Sequence, residues 1–219
     1  MSATNTPRLL KGGLVQLDPG SGSVLRTVAL QYNPNVVTRT VTAKAFSGGD
    51  QADRSQALRL KGPSTETIRV EAEIDATDRL EHPDQFPDAV SVGIHPQLAV
   101  LEIMLSPTSS QLAANDSLAS SGRLEIVPME APLTVFVWSA NRILPVRLTE
   151  LTITEEAFDP ALNPIQAKVD LSMKVLTVDD LGFAHRGGAL FMAQLRRREA
   201  LAARAGSGSF AALGITGLR

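Results

Sequence analysis

The feature that most constrains this chain is an almost unbroken alternation near its C-terminal third. Ile165, Ala167, Val169, Leu171, Met173 and Val175 fall on one face; Gln166, Lys168, Asp170, Ser172 and Lys174 fall on the other. A period of two is what a strand with one buried and one wetted face imposes. The preceding arm puts Val146 and Leu148 in one phase, then Leu151 and Ile153 in the other. Such a slip reads as a β-bulge or as two successive strand segments. Between the arms, 155–164 holds Asp159, Pro160, Asn163 and Pro164, residues that do not continue a ladder, so a long loop is expected there. Residues 143–178 therefore predict one long hairpin with an elaborate tip, reaching beyond its own domain.

The rest of the chain repeats the β pattern in shorter pieces. Strands are expected at 11–17, 24–32, 36–45, 66–75, 123–127 and 133–139, with 46–63 an exposed loop and 76–88 turn-like, holding at most a helical turn at 77–81. The strand at 133–139 carries Val135 and Val137 on one face and Phe136 and Trp138 on the other, so it is expected to be covered on both sides, Trp138 being core. Residues 96–105 predict a helix whose apolar positions Ile94, Leu98, Leu101 and Leu105 are widened by Val100, Ile103 and Met104 into a nearly surrounded cylinder. Residues 107–122 read as a polar connector, and 189–205 as a C-terminal helix with Arg196, Arg197, Arg198 and Arg204 toward its end. A tether at 206–209 leads to Phe210, Leu213, Ile215 and Leu218, which suit either a disordered end or a docking peptide.

With seven to nine strands, the expected class is mainly β: an antiparallel barrel or sandwich with one packed internal helix and a C-terminal helix. The expected divisions are a β domain at 1–181, a helix at 182–205 and a flexible apolar tail at 206–219. Aromatic residues are only 4%, so the core must be aliphatic.

Chemistry is sparse. The chain has no cysteine, so disulfides and thiolate metal sites are excluded. His82, His95 and His185 have no neighbour at ligand spacing. The acidic groups Asp75-Asp78-Glu81, Glu155-Glu156-Asp159 and Asp179-Asp180 fall in predicted turns, where carboxylates are simply solvated. Phosphate loops, dinucleotide fingerprints, nucleophile elbows and zinc-protease motifs are missing. No catalytic, cofactor-binding or metal residue is assigned, and an enzyme is not expected. A net charge of −2 argues against a nucleic-acid partner. The N-terminal residues lack a signal-peptide core, and no apolar run reaches the ~20 residues that span a bilayer. No membrane insertion is expected, the sequon at Asn115 reads as accidental, and assembly in the cytoplasm is the expectation.

Several segments together resemble one known family. Leu144-Pro145-Val146-Arg147-Leu148, Ile153-Thr154-Glu155-Glu156-Ala157-Phe158-Asp159-Pro160 and Leu162-Asn163-Pro164-Ile165-Gln166-Ala167-Lys168-Val169 look like the signature of the contractile injection system tube-protein domain. Gln31-Tyr32-Asn33-Pro34 with Thr38-Arg39-Thr40 is similar to its N-terminal motif. Asp75-Ala76-Thr77-Asp78-Arg79-Leu80-Glu81 and Ile94-His95-Pro96-Gln97-Leu98-Ala99-Val100-Leu101-Glu102 are similar to its middle. The resemblance spans roughly residues 10–180, and the Glu-Glu-Ala-Phe-Asp-Pro…Asn-Pro motif is its most specific part.

The resemblance implies a phage-tail-like particle, a tube-type β-barrel and a homo-hexameric ring in which sheets of adjacent subunits join. It implies tube subunits, spike and baseplate proteins as partners, and a place as tube initiator or adaptor between spike, baseplate and inner tube. The repeating tube subunit is the alternative. Many members carry a C-terminal peptidoglycan-binding LysM module; the tail at 206–219 stands in its place here. The interface candidates are Glu155, Glu156, Phe158, Asp159, Pro160, Asn163, Phe210 and Leu213. Phe158 either anchors a neighbour or folds back as a lid. Two other classes compete: a hydrolase using Glu155 and Asp159, and a barrel that binds a small molecule or sugar.

Overall fold

A computed structural model describes residues 10–18, 20–45, 58–121, 130–206 and 208–218. Seven strands form one antiparallel sheet: β1 (Gly13–Leu17), β2 (Val24–Ala29), β3 (Val37–Thr42), β4 (Thr65–Asp75), β5 (Leu133–Ser139), β6 (Arg142–Phe158) and β7 (Pro164–Val175). Their order across the sheet is β2-β1-β5-β6-β7-β4-β3, so β2 and β3 are its two ends. Six helices accompany it among the described residues: α1 (Thr77–Leu80), α2 (Pro87–Val92), α3 (His95–Glu102), α4 (Ser109–Ser120), α5 (Val178–Leu181) and α6 (Arg186–Arg204). The expected mainly-β antiparallel class holds. The strands make a single sheet rather than two stacked ones.

That sheet curls strongly. The Gln31 side chain, just past β2, donates to the Asp75 carbonyl (2.7 Å) and accepts from the Asp75 amide (3.0 Å) at the end of β4. It thereby ties the first strand of the order to the sixth. Between them lies a cleft of about 440 Å³ bounded by Val28, Ala72, Ile74, Val100 and Leu101, with Lys11 and Arg79 at its polar margin.

The alternating strands fill the inside of the curl. Ile68, Val70 and Ala72 of β4, Leu144 and Val146 of β6, and Val169, Leu171, Met173 and Val175 of β7 are buried in one aliphatic cluster. Burial of that kind contributes about 1.5–3 kcal/mol per large side chain. Ile94, Leu98 and Leu101 close one side of the cluster and Phe191 of α6 enters it as well. Phe136 is fully buried, and Trp138 stacks on it with ring centroids 6.0 Å apart.

Four expectations need correcting. The helix at 95–102 is covered on one face only: Ile103 and Leu105, expected to be enclosed, are exposed. The polar connector at 107–122 contains α4, whose first turn is held by a reciprocal capping box between Thr108 and Gln111. None of its residues is buried, so apolar periodicity gave no signal for it. In β2, Val24 is exposed, and Arg26 rather than Val24 shares the inner phase with Val28. The hairpin loop is shorter than expected, as described below. The expected strand at 123–127 and most of the loop at 46–63 lie outside the described residues.

Candidate assembly interface

The hairpin formed by β6 and β7 has two unlike halves. From Arg142 to Val146, β6 is flanked by β5 on one side, in the register Ser139↔Arg142 to Thr134↔Val146. Its other flank is β7, which begins at Val146↔Val175. Beyond Val146, among the described residues, β7 is the sole neighbour of β6, as far as Phe158↔Pro164. β7 itself is bordered by β4 along nearly its whole length, from Lys174 to Gln166. The 147–158 segment of β6 thus presents one row of backbone N–H and C=O groups with no ladder partner among the described residues. A register shift between Leu148 and Glu150 marks the bulge that the phase slip announced. Past it, Leu151 and Ile153 are half-buried, and Glu150, Thr152, Thr154, Glu155 and Glu156 are exposed.

The tip is tightly built. Oδ1 of Asp159 accepts from the amides of Ala161 and Asn163 (both 2.8 Å), while Oδ2 accepts from Asn163 Nδ2 (2.8 Å). The side chain and amide of Asn163, with the Ala161 amide, hold the Asp159 carboxyl below the usual aspartate range. The turn puts Leu162 at φ 65°, a left-handed conformation disfavoured for a side chain with a Cβ. Leu162 is nevertheless 78% exposed, and Phe158 beside it is 49% exposed. The turn that closes with Asp159 N–H on the Asn163 carbonyl and Leu162 N–H on the Asp159 carbonyl sets this conformation, and it leaves two large apolar side chains at the tip open to solvent.

Two contacts brace this tip against the helices. Asn163 Nδ2 reaches the Ser91 carbonyl (3.2 Å), and the Ile94 amide donates to the Pro164 carbonyl (2.9 Å). Gly93 permits the second: its φ is +58°, and a Cβ there would collide with the Pro164 carbonyl oxygen. On the neighbouring face Glu156 pairs with Lys168 at 2.7 Å; that hydrogen bond and charge raise the Lys168 pKa.

The structure therefore redistributes the expected site. Glu155, Glu156 and Phe158 belong to β6 rather than to a loop, which shrinks to 159–163. Pro160 and Asn163 lie in that turn. Phe210 and Leu213 sit apart, in a short 3-10 turn at Phe210–Leu213 that buries none of its residues. Leu162 was not singled out from the sequence; its signal, a left-handed φ, exists only in three dimensions. The pairing of Glu155 with Asp159 as hydrolytic acids gains no support. Asp159 is committed to the turn and held ionised, the opposite of what a general acid needs.

The other end of the hairpin is cationic. Glu66, 2% exposed, accepts from Arg39 Nε (2.6 Å) and from Arg198 Nη2 (2.7 Å). The side chain of Arg142, at the start of β6, makes no hydrogen bond or ion pair among the described residues. Burial, then the nearby charges of Arg39 and Arg198, depress its pKa against the opposing pull of Glu66. α6 is fixed here by Gln194, which accepts from the Ile143 amide (3.2 Å) and donates to the Asn141 carbonyl (2.9 Å).

No protein-family model matches the chain, and no curated protein matches it. Among solved structures, it is similar to a chain from the tail of an empty gene transfer agent particle with C6 symmetry. The identity is 14%, covering 75% of this chain and 90% of that one, with a TM-score of 0.32. A chain from the virion of a native gene transfer agent particle is similar at 10% identity, with the same coverages and a TM-score of 0.29. At such scores the likeness is loose, and no role for this chain follows from it. No helix among the described residues is long and apolar enough to cross a membrane.

Proposed function

We propose that this chain is a structural subunit of a phage-tail-like contractile particle and forms a six-membered ring in its tube. Its place would be as the initiator or adaptor that joins spike and baseplate to the inner tube. The observation that carries this reading is the open edge of β6 over 147–158. A long unpaired edge is a template for strand addition. In a ring, each subunit supplies the strand that the next one lacks, and a cyclic arrangement leaves no edge over. Cross-strand pairs contribute about 0.2–1 kcal/mol each, so a dozen positions repeated around a ring make a wall that transmits force. The sequence resemblance points the same way. Phe158 and Leu162 at the tip would then contact an adjacent ring or the spike.

The repeating tube subunit is a second reading, favoured by the opposite charge of the two ends of β6: exposed Glu155 and Glu156 toward the tip, Arg142 with Arg39 and Arg198 at the base. Mass spectrometry of purified particles separates the two. One or two rings' worth of this chain supports the adaptor, hundreds of copies support the tube, and absence from the particle overturns both. Loss of assembly in the Phe158→Ala/Asp159→Ala chain is expected; unchanged assembly removes the tip from the interface.

A further inference from the structure

The ion pairs among the described residues are one to one, with a single exception. Lys44 serves Asp179, Lys168 serves Glu156 and Lys174 serves Asp180. Glu66 instead takes two guanidiniums, Arg39 on Oε1 and Arg198 on Oε2. Arg142 stands beside them within reach of all three charges. Three cations around one carboxylate leave two positive charges uncompensated.

Backbone far apart in sequence fixes this cluster. Glu66 continues the inward row of Ile68, Val70 and Ala72 along β4, and its side chain is 3% exposed. Arg39 comes from β3, where it pairs with Ile68 of β4. Arg198 lies one turn beyond Gln194 on α6, and Gln194 holds Asn141 and Ile143, the residues on either side of Arg142. Arg39 and Arg198 keep 29% and 32% of their side chains exposed, so a solute reaches the guanidiniums while the acid stays enclosed. A buried carboxylate needs cations around it, and the two arginines bonded to Glu66 meet that need. The third guanidinium adds repulsion and no bond.

We propose that Arg142, together with Arg39 and Arg198, binds a doubly charged oxyanion of the phosphate class. Two uncompensated charges match a dianion, and planar guanidinium forks suit the oxygens of a phosphate. Each guanidinium has five N–H donors, so Arg39 and Arg198 retain donors beyond those given to Glu66. The anion gives Arg142 the partner it lacks and ties β3, β6 and α6 together at the base of the sheet. The site belongs to the single subunit and stands apart from the ring reading.

The test is thermal unfolding of the full chain in sodium phosphate at about pH 8, where phosphate is mostly a dianion, against sodium chloride and sodium acetate at the same ionic strength. Phosphate at about tenfold above its dissociation constant is expected to raise the midpoint by about 3–6 °C, saturably, and the matched salts are not. Arg142→Gln is expected to weaken phosphate binding by about tenfold or more in calorimetric titration, with its circular dichroism unchanged. Arg142→Lys, which keeps the charge but loses the planar fork, is expected to fall between the two. A midpoint in phosphate equal to that in chloride, or phosphate affinity untouched by Arg142→Gln, overturns the site. Acetate as effective as phosphate overturns the assignment to a dianion. None of these results alters the ring reading, which copy number in purified particles decides.

Discussion

The base and the outer half of β6 belong to one strand, yet they are held by different means. At the base, β5 pairs with Arg142–Val146 and β7 joins at Val146, Leu144 and Val146 are buried in the aliphatic core, and Gln194 pins the preceding turn to α6. In the outer half one flank has no partner among the described residues, the inward side chains are half-buried, and the exposed ones are mainly acidic or threonine. The first half is stabilised within the subunit. The second has its backbone and its tip prepared for contacts outside it. The same chain can be rigid and unfinished because the rigidity and the open edge sit on opposite ends of one ladder.

The contrast can be broken by mutation. Leu144→Ala at the base is expected to cost about 2–5 kcal/mol in denaturant unfolding, the usual loss for a fully buried leucine. Thr152→Ala in the outer half should change stability by less than about 0.5 kcal/mol. Equal effects would mean that the two halves are not held differently. Glu66→Gln removes the acid from between Arg39 and Arg198. With both guanidiniums about one-third exposed, a loss of about 2–3 kcal/mol is expected, below the range for a fully enclosed pair.

At the tip the signs reverse. Leu162→Gly relieves a left-handed leucine and is expected to stabilise the isolated chain by up to about 1 kcal/mol. Assembly should nonetheless weaken, because an exposed apolar anchor is lost. A variant both more stable and fully competent in assembly would show that Leu162 has no contact role. The smallest effect is that of pH. The folded-state pKa of Asp159 is depressed by its bonds to Asn163, so its contribution is present above the ordinary aspartate range and is lost as pH falls through the folded value. The amide signals of Ala161 and Asn163 should shift in that acid window, and Asp159→Asn should abolish the transition.

Much of this was legible before any coordinates. The alternation from Ile165 to Val175 appears as β7, with Ala167, Val169, Leu171, Met173 and Val175 buried as the pattern required. The phase slip before Leu151 appears as a bulge. α4 was missed because a solvated helix carries no apolar period. The extension of β6 through Glu155 and Glu156 was missed because exposed acids read as loop when a strand is wetted on both faces. These failures share a cause: sequence periodicity reports contrast between a buried and a wet side, and it falls silent where both sides are wet.

Local pattern alone determined where the cores of most described strands lie, which faces of β4 and β7 turn inward, that the core is aliphatic and that a long hairpin dominates the chain. Those properties depend on neighbours along the chain, two or three residues apart. Only the tertiary structure decided that the pairing of β5 with β6 stops at Val146, that Leu162 is left-handed, and that Arg39, Arg142 and Arg198 gather around one glutamate. These depend on the relative lengths and register of strands far apart in sequence, which no local pattern encodes.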